Sequence, residues 1–200
     1  SIILNKNNFK IIFKINPEFI NYKDLKSLKT YWNKLFDKTL LNLKVKQLEG
    51  ILLHSPSNLT KYQKLILQDW LCEKKQEKKV NKIGISIYEE SDLNDFNLNL
   101  IDIIQLPLSI YDQRMMNSGF IAFLNSKGIE IYVRSVFLQG LILNRISAWP
   151  KWVSKKDLAK HKEFLYFLKN KNISPLNVAL AYVKFSPYIN KVVVGISSFD

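Results

Sequence analysis

The sequence predicts an α/β fold built on a parallel sheet, and three observations support this class. Short apolar runs rich in isoleucine and valine recur along the 200 residues, and stretches with helical spacing separate them. The runs are apolar at nearly every position, as in strands that are covered on both faces. The composition, 47% hydrophobic and 24% charged, is typical of a globular chain with one core. We therefore expect a single domain over residues 1–200.

Six runs are predicted to be strands, and each is followed by a polar residue or a glycine. They cover residues 9–13, 49–53, 82–85, 101–104, 129–133 and 191–194. The carboxyl ends of parallel strands carry the active site in a barrel and the ligand crevice in an open doubly wound sheet. The residues at these ends are the candidate site residues: Lys14, His54, Ser86, Gln105, Arg134 with Ser135, and Gly195 with Ser197 and Ser198.

Helices are predicted between the strands from apolar spacing and capping signals. The first helix is expected to pack on the sheet through one apolar stripe. Ser174 and Pro175 predict a helix start near the end of the chain, and Gly128 predicts a helix end before the fifth strand. The lysine-rich stretch 73–79 is interpreted as a solvated helix end. The stripe of the first helix consists of Leu25, Leu28, Trp32, Leu35 and Phe36.

The formal net charge of +13 suggests an anionic partner, but the types and positions of the basic residues argue against one. Only three of the 30 basic residues are arginine, and the lysines are scattered among acidic residues. The single cysteine, Cys72, cannot form an internal disulfide, and no apolar run is long enough to span a membrane. We expect a cytoplasmic protein without a membrane or nucleic-acid partner. A basic nucleic-acid binder stays open as a less favoured hypothesis.

Lys14 and His54 are the most informative single residues. Lys14 interrupts an apolar strand, so its ammonium needs a polar or anionic partner unless it reaches solvent. His54 lies between a buried strand and Pro56, where a core histidine is the alternative interpretation. His161, within the lysine-rich stretch 155–162, is expected to be exposed and without function. Two histidines and one cysteine predict no metal site. Neither a G-x-G-x-x-G phosphate loop nor a G-x-S-x-G elbow is present.

Six collinear stretches, each at a predicted strand end, follow one recognisable pattern. They are residues 11–15 (IIFKI), 51–56 (ILLHSP), 82–86 (KIGIS), 103–107 (IIQLP), 134–140 (RSVFLQG) and 192–198 (VVVGISS). Together these stretches resemble the aldo-keto reductases, from the first to the last tenth of the chain. The stretch around Arg134 looks most like bacterial members associated with surface-polysaccharide genes.

The resemblance implies a (β/α)8 TIM barrel that reduces aldehydes or ketones with a nicotinamide cofactor. The chain is then expected to hold about six βα units, strands three to eight, and to lack the first two. Either a preceding part of the protein supplies these two units, or the chain is truncated and lacks them. The implied cofactor is NADPH, with NADH possible, and the implied partner is a small carbonyl compound, possibly sugar-related. An inactive reductase-like binding or regulatory module is the alternative function.

The resemblance also implies a role for each candidate residue. Lys14 and His54 match two of the family's four catalytic residues, whereas its aspartate and tyrosine would precede residue 1. Without them, we expect the 200 residues alone to be inactive. Arg134 occupies a position where many members stack a tyrosine on the nicotinamide. The remaining matches are cofactor-binding: Ser86 and Gln105 for the carboxamide, Ser135, Phe137 and Gly140 for the pyrophosphate, and Gly195, Ser197 and Ser198 for the adenosine end.

Overall fold

The computed structural model describes residues 9–16 and 25–195. Helices separate the successive strands, except between the third and fourth strands, where only 3₁₀ turns lie in place of the expected helix. Short 3₁₀ turns, among them Leu141–Leu143, lie in the connections. The strands are β1 (Ile12–Ile15), β2 (Leu48–His54), β3 (Val80–Ser86), β4 (Ile103–Pro107), β5 (Glu130–Arg134) and β6 (Ile189–Val192). The helices are α1 (Leu25–Leu43), α2 (Lys61–Gln76), α3 (Arg114–Asn117), α4 (Phe120–Ser126), α5 (Lys155–Asn170) and α6 (Pro175–Phe185).

The described residues group into two compact units. Unit 1 comprises the residues up to Gln105 together with Ser126–Glu130. Unit 2 comprises Leu106–Asn125 and the residues from Ile131 onward. Within unit 1, β1, β2, β3 and β4 pair in chain order, and every pair is parallel. Within unit 2, β5 pairs in parallel with β6.

Five of the six strands end later than the apolar runs predict, because main-chain pairing continues through polar residues, whereas β6 ends at Val192, two residues before its predicted end. The first strand begins at Ile12 instead of residue 9, and it includes Lys14. His54, Ser86 and Arg134 are the last residues of their strands, and Gln105 lies inside β4. The main-chain ladder is indifferent to side-chain polarity, so a pattern of apolar residues cannot mark its end. Lys14, His54, Ser86, Gln105 and Arg134 are therefore held by strand geometry, whereas Ser135, Phe137, Gly140 and Gly195 follow the strands.

The core of unit 1 is built where α1 meets α2. Leu28, Trp32 and Phe36 are buried, which confirms the central part of the predicted stripe, whereas Leu35 is half-buried. The Trp32 and Trp70 rings lie 5.6 Å apart, and Phe36 meets Trp70 edge-on at 6.0 Å. These aromatic contacts add to the apolar area that both helices bury. The side chain of Leu25 lies outside the described part of the structure.

Gly84 allows β3 to pass close to its neighbours. A Cβ atom at this position would lie 2.3 Å from the carbonyl oxygen of Ile103 and 2.6 Å from a methyl group of Leu52. Real Cβ atoms essentially never approach other atoms so closely. Only glycine fits here without moving β4 or β2, and both strands carry candidate site residues nearby.

Two predicted helix boundaries are confirmed, the helix start at Ser174 and Pro175 and the helix end near Gly128. α6 begins at Pro175, and the hydroxyl of Ser174 accepts a hydrogen bond from the main-chain N–H of Leu176. Gly128 follows α4 with a φ of 76°, a left-handed conformation that favours glycine.

The interpretation of residues 73–79 as a fully solvated helix end is wrong for Lys74. The Lys74 side chain is almost completely buried, and its Nζ lies 2.8 and 2.9 Å from the two carboxylate oxygens of Glu77. The same ammonium lies 6.0 Å from the centre of the Trp70 ring. A long lysine stem covers apolar surface while its charged end stays paired, and a pattern of charges alone does not reveal this. Within the described residues, none of the helices is long and apolar enough to cross a membrane.

Candidate functional site

Three candidate residues of unit 1 lie side by side on neighbouring strands. His54 pairs with Ser86 in the register of β2 and β3, and Ser86 pairs with Gln105 in that of β3 and β4. Lys14 pairs with Leu52, two residues before His54, on the strand next to β2. Parallel register thus brings together residues that lie up to 91 positions apart in the sequence.

The side chains of Lys14, Ser86 and Gln105 form one hydrogen-bonded cluster. The Lys14 ammonium donates to Oγ of Ser86 at 3.3 Å and to Oε1 of Gln105. The Ser86 hydroxyl also lies 3.3 Å from Oε1 of Gln105. Ser86 is 0% exposed and Gln105 is 3% exposed, whereas Lys14 is exposed. The Lys14 ammonium thus has polar partners while its side chain also reaches solvent, so the structure contains a feature of each of the two expectations.

His54 lies half-buried at the end of β2, beside an aromatic residue that the sequence analysis did not single out. The ring centroids of His54 and Tyr88 are 6.2 Å apart. Tyr88 is exposed and is the second residue of the segment of residues 87–97, here called the β3 loop. The carboxylate of Asp92 accepts hydrogen bonds from the main-chain N–H groups of Tyr88 and Glu89, at 2.7 and 3.2 Å. These two hydrogen bonds restrain the main chain of Tyr88, whose ring is tilted by 51° against that of His54.

Helix α2 is hydrogen-bonded to the later part of the β3 loop through Lys64. The ammonium of Lys64 donates to the carbonyl oxygens of Asp92 and Asn94, at 3.5 and 3.0 Å. It also lies 5.5 Å from the centre of the Phe96 ring. A buried ammonium is costly unless it is received by acceptors, and the loop carbonyls serve this purpose. The β3 loop is therefore a fixed part of unit 1 and not a free surface segment.

Arg134 and Ser135 lie at the carboxyl end of β5, in unit 2. Nη1 of Arg134 donates to the hydroxyl of Ser135 at 3.2 Å, and both residues are half-buried. The guanidinium supplies a planar cation at this strand end. Such a group suits an anionic ligand or a flat ring that stacks on its plane.

The segment of residues 135–144, here called the β5 loop, is unusually rich in left-handed backbone. Ser135, Leu138, Gln139 and Gly140 have φ values of 61, 46, 55 and 88°. Such angles are unfavourable for residues other than glycine, and they cost about 1–3 kcal/mol each. The carbonyl oxygen of Phe137 accepts hydrogen bonds from the N–H groups of Gly140 and Ile142, at 2.9 and 3.3 Å. Strain of this kind is found preferentially at ligand-binding loops.

Gly195 is the last described residue, and it is exposed. Among the residues that the structure describes, none has an atom within 4 Å of the position that its Cβ atom would take. The predicted adenosine-end residues Ser197 and Ser198 lie outside the described residues.

The expectation that His161 is exposed is wrong. His161 is 1% exposed, and its Nδ1 lies 2.8 Å from the hydroxyl of Tyr111. Its Nε2 lies 3.4 Å from the carbonyl oxygen of Asn144, and its ring lies 4.5 Å from that of Trp149. Burial lowers the pKa of His161 below the ordinary histidine value, although the Asn144 carbonyl acts in the opposite direction. The pKa of the Tyr111 phenol is raised by burial.

A helical pattern could have located His161 in the core. The residues of α5 that are half-buried or buried recur every three or four positions, and His161 falls on this series. The surrounding lysines obscured it, because they occupy the exposed positions of the same helix. The series consists of Leu158, His161, Phe164, Leu165 and Leu168.

A cavity of about 660 Å³ opens within unit 2, beside the β5 loop. Tyr111, Trp149 and Trp152 give it aromatic walls, and Ser135 and Lys160 are among its polar groups. This volume lies within the range of small-ligand sites, and a mostly apolar lining with a few polar groups is their usual composition. Among the residues that the structure describes, no group of three or more His, Cys, Asp or Glu side chains could hold a metal ion.

The fold of the chain is similar to that of solved aldo-keto reductases. One from Bacillus halodurans, in its holo form, has a TM-score of 0.73 at 19% identity, covering 97% of this chain and 64% of that chain. One from Klebsiella pneumoniae, in complex with NADP and acetate, has a TM-score of 0.68 at 12% identity, covering 96% and 61%. A glycerol dehydrogenase from Gluconobacter oxydans has a TM-score of 0.63 at 17% identity, covering 82% and 54%.

These similarities confirm the predicted α/β class, with parallel strands and helices of the (β/α)8 type. The chain spans between about half and two thirds of the length of these solved relatives. None of the curated proteins compared matches it. The family model described as "Aldo/keto reductase family" matches residues 6–200. The chain therefore belongs to the aldo/keto reductase family.

Proposed function

We propose that the protein reduces an aldehyde or ketone with a nicotinamide cofactor, NADPH or, in its place, NADH. The observation that carries this proposal is the hydrogen-bonded cluster of Lys14, Ser86 and Gln105, next to His54 in register. Lysine and histidine are proton-handling groups, and a serine beside a glutamine suits a carboxamide. All four match family positions at which these roles are expected.

The residues of unit 1 fit the nicotinamide end of such a cofactor. A carboxamide has both donors and acceptors, and the Ser86 hydroxyl and the Gln105 amide likewise offer both. Both side chains are almost fully buried, so their hydrogen-bonding groups are fixed in direction. Burial also makes a missing hydrogen bond expensive, which favours a ligand with matching polar groups.

The residues of unit 2 fit the anionic part of the cofactor. Arg134 supplies a cation, and the β5 loop presents several left-handed residues around Gly140. Loops of this kind expose main-chain N–H groups that can bind phosphate oxygens. We assign Ser135, Phe137 and Gly140 to the pyrophosphate, and Gly195 with Ser197 and Ser198 to the adenosine end.

In the proposed mechanism, the chain's own residues orient the carbonyl and manage the proton. A reduced nicotinamide, when bound, supplies a hydride to the carbonyl carbon. His54 would donate a hydrogen bond to the carbonyl oxygen and thereby hold it in place. The Lys14 ammonium, bonded to two uncharged oxygens, would lower the pKa of a nearby phenol and ease proton transfer. In the family this phenol is the tyrosine that the resemblance places before residue 1.

We further propose a sugar-related carbonyl as the substrate, converted in the cytoplasm by a single-domain enzyme. Two observations support the substrate class. The stretch around Arg134 resembles bacterial members associated with surface-polysaccharide genes, and one similar structure is named a glycerol dehydrogenase, glycerol being a polyol.

The experiment is a cofactor-oxidation assay on the full protein. NADPH or NADH is mixed with a panel of simple aldehydes, ketones and open-chain sugars, and absorbance of the reduced nicotinamide is followed. We expect oxidation that depends on both protein and carbonyl substrate. Cofactor binding without turnover would support an inactive reductase-like module instead, and absence of both binding and turnover would refute the proposal.

A further inference from the structure

His161 connects three segments of unit 2. It is carried by α5, and its Nδ1 lies 2.8 Å from the hydroxyl of Tyr111, in the segment after β4. Its Nε2 lies 3.4 Å from the carbonyl oxygen of Asn144, the last residue of the β5 loop. One nearly buried imidazole therefore contacts both segments through its two nitrogen atoms.

Trp149 ties the β5 loop to the same imidazole. Its ring lies on that of His161 at 4.5 Å, with an angle of 33° between the planes. Its indole N–H donates to the carbonyl oxygen of Leu141 at 2.9 Å, directly after Gly140. The edge of the Tyr111 ring meets Trp149 at 6.4 Å. The loop residue Leu141 is thus held by a tryptophan whose own position depends on His161.

These contacts define the walls of the 660 Å³ cavity. Tyr111, Leu141 and Trp149 line it, and the strained residues Leu138 and Gln139 line it as well. Left-handed residues other than glycine persist only where the surroundings hold them. The hydrogen bonds to Asn144 and Leu141 supply such restraint at the end of the loop.

We propose that His161 is a positioning residue that forms the cavity and the β5 loop before a ligand arrives. It acts through Tyr111, Trp149 and Asn144 and makes no contact with the cofactor itself. Because ordering a loop on binding costs affinity, a loop held in advance binds more tightly. This inference rests on the proposed function in one respect, that the ligand of the β5 loop is the nicotinamide dinucleotide.

The test compares two variants with matched controls. His161→Phe keeps a ring for stacking and removes both hydrogen bonds, whereas Tyr111→Phe removes only the hydroxyl. Tyr166→Phe, an exposed tyrosine on the same helix, and Lys162→Ala, beside His161, are the controls. If His161→Phe does not fold, Tyr111→Phe still tests the same hydrogen bond.

Two measurements are made on the full protein. The first is the dissociation constant of NADPH, from the fluorescence of the reduced nicotinamide. The second, without cofactor, is the rate of trypsin cleavage after Arg145, next to the β5 loop, relative to cleavage after Lys46 in unit 1. We expect Tyr111→Phe to weaken NADPH binding about five- to tenfold, as for loss of one hydrogen bond, and His161→Phe, which loses two, to weaken it at least as much. Both variants should speed Arg145 cleavage by a similar factor.

The outcomes separate this inference from the proposed function. For an active protein, kcat at saturating NADPH should stay within about threefold while the KM for NADPH rises. Lower thermal stability with unchanged KM and unchanged Arg145 cleavage would overturn the positioning role. If the unaltered protein binds neither NADPH nor NADH, the proposed function fails, and the cleavage rates alone decide whether His161 orders the loop.

Discussion

The side-chain amide of Gln68 pairs with the main chain of Asn97 in both directions. Its Nε2 donates to the carbonyl oxygen of Asn97 at 2.8 Å, and its Oε1 accepts from the Asn97 N–H at 2.9 Å. A helix side chain thus occupies the place that a neighbouring strand would take. Lys64 also donates to a carbonyl oxygen of the β3 loop, so two side chains of α2 hold this loop in place. The loop in turn places Tyr88 beside His54.

Gln68→Leu should therefore loosen the β3 loop. The substitution keeps the buried volume but removes both hydrogen bonds, and we expect a loss of about 1–3 kcal/mol in the free energy of unfolding. Urea unfolding followed by circular dichroism measures it. Gln76→Leu, at the exposed end of the same helix, is the control and should change stability little. Equal stability of the two variants would show that the pairing does not hold the loop.

Gly84→Ala should disturb the register of the site strands. The added methyl would lie 2.3 Å from the main-chain oxygen of Ile103, which cannot move without β4. We expect a loss of about 1–3 kcal/mol or more, accompanied by reduced turnover. Gly50→Ala is the matched control, because its Cβ would meet the nearest atom at 3.4 Å. Thermal unfolding of both variants checks the difference, and a tolerated Gly84→Ala would contradict it.

Lys14→Met should abolish turnover and leave cofactor affinity within about tenfold, because the ammonium acts on proton transfer in the transition state. Ser86 and Gln105 stay hydrogen-bonded to each other, and both side chains remain to bind the carboxamide. Steady-state kinetics and NADPH titration on the full protein test this separation. Lys10→Met, in which an exposed lysine of the same segment is changed, should keep normal activity. A parallel loss of NADPH binding in Lys14→Met would refute the assigned role.

His161 should make stability fall as the pH is lowered from 7 to 5. Its pKa is lowered in the folded chain, mainly by burial, so the unfolded chain binds a proton first as the pH drops. The stabilisation is complete above about pH 6.5, the ordinary histidine value, and is lost progressively toward the lower folded value. Urea unfolding at pH 7, 6 and 5 should give a flatter dependence for His161→Phe. Tyr166→Phe should keep the original slope, and identical slopes for all three proteins would argue against this account.

The sequence predicted that polar residues of unit 1 would lie close together, because such residues follow the apolar runs near the carboxyl ends of neighbouring strands. Lys14, Ser86 and Gln105 are brought together by parallel pairing, which follows from the strand order alone. Five of the six strand ends were placed too early, since main-chain hydrogen bonds extend beyond the apolar side chains, and the end of β6 was placed two residues too late. The left-handed shape of the β5 loop was not foreseen, because Leu138 and Gln139 are residues that seldom adopt it.

The cluster around His161 escaped prediction for a different reason. Its members, Tyr111, Trp149 and His161, come from three separate segments, and only tertiary packing reveals that they meet. Lys74 shows the same effect on a smaller scale, since its burial depends on the Trp70 ring and on Glu77. Residues with both apolar and polar parts are assigned to the surface by their charge, whereas packing decides their burial.

The distribution of the four tryptophans gives the protein a built-in optical label for each unit. Trp32 and Trp70, in unit 1, are fully buried, whereas in unit 2 Trp149 is half-buried and Trp152 is 80% exposed. Dissolved iodide therefore quenches the fluorescence of the tryptophans in unit 2 and leaves that of the tryptophans in unit 1 unquenched. The quenched and the unquenched parts of the ultraviolet emission can be followed in one sample, so the melting of each unit can be timed without attaching a dye.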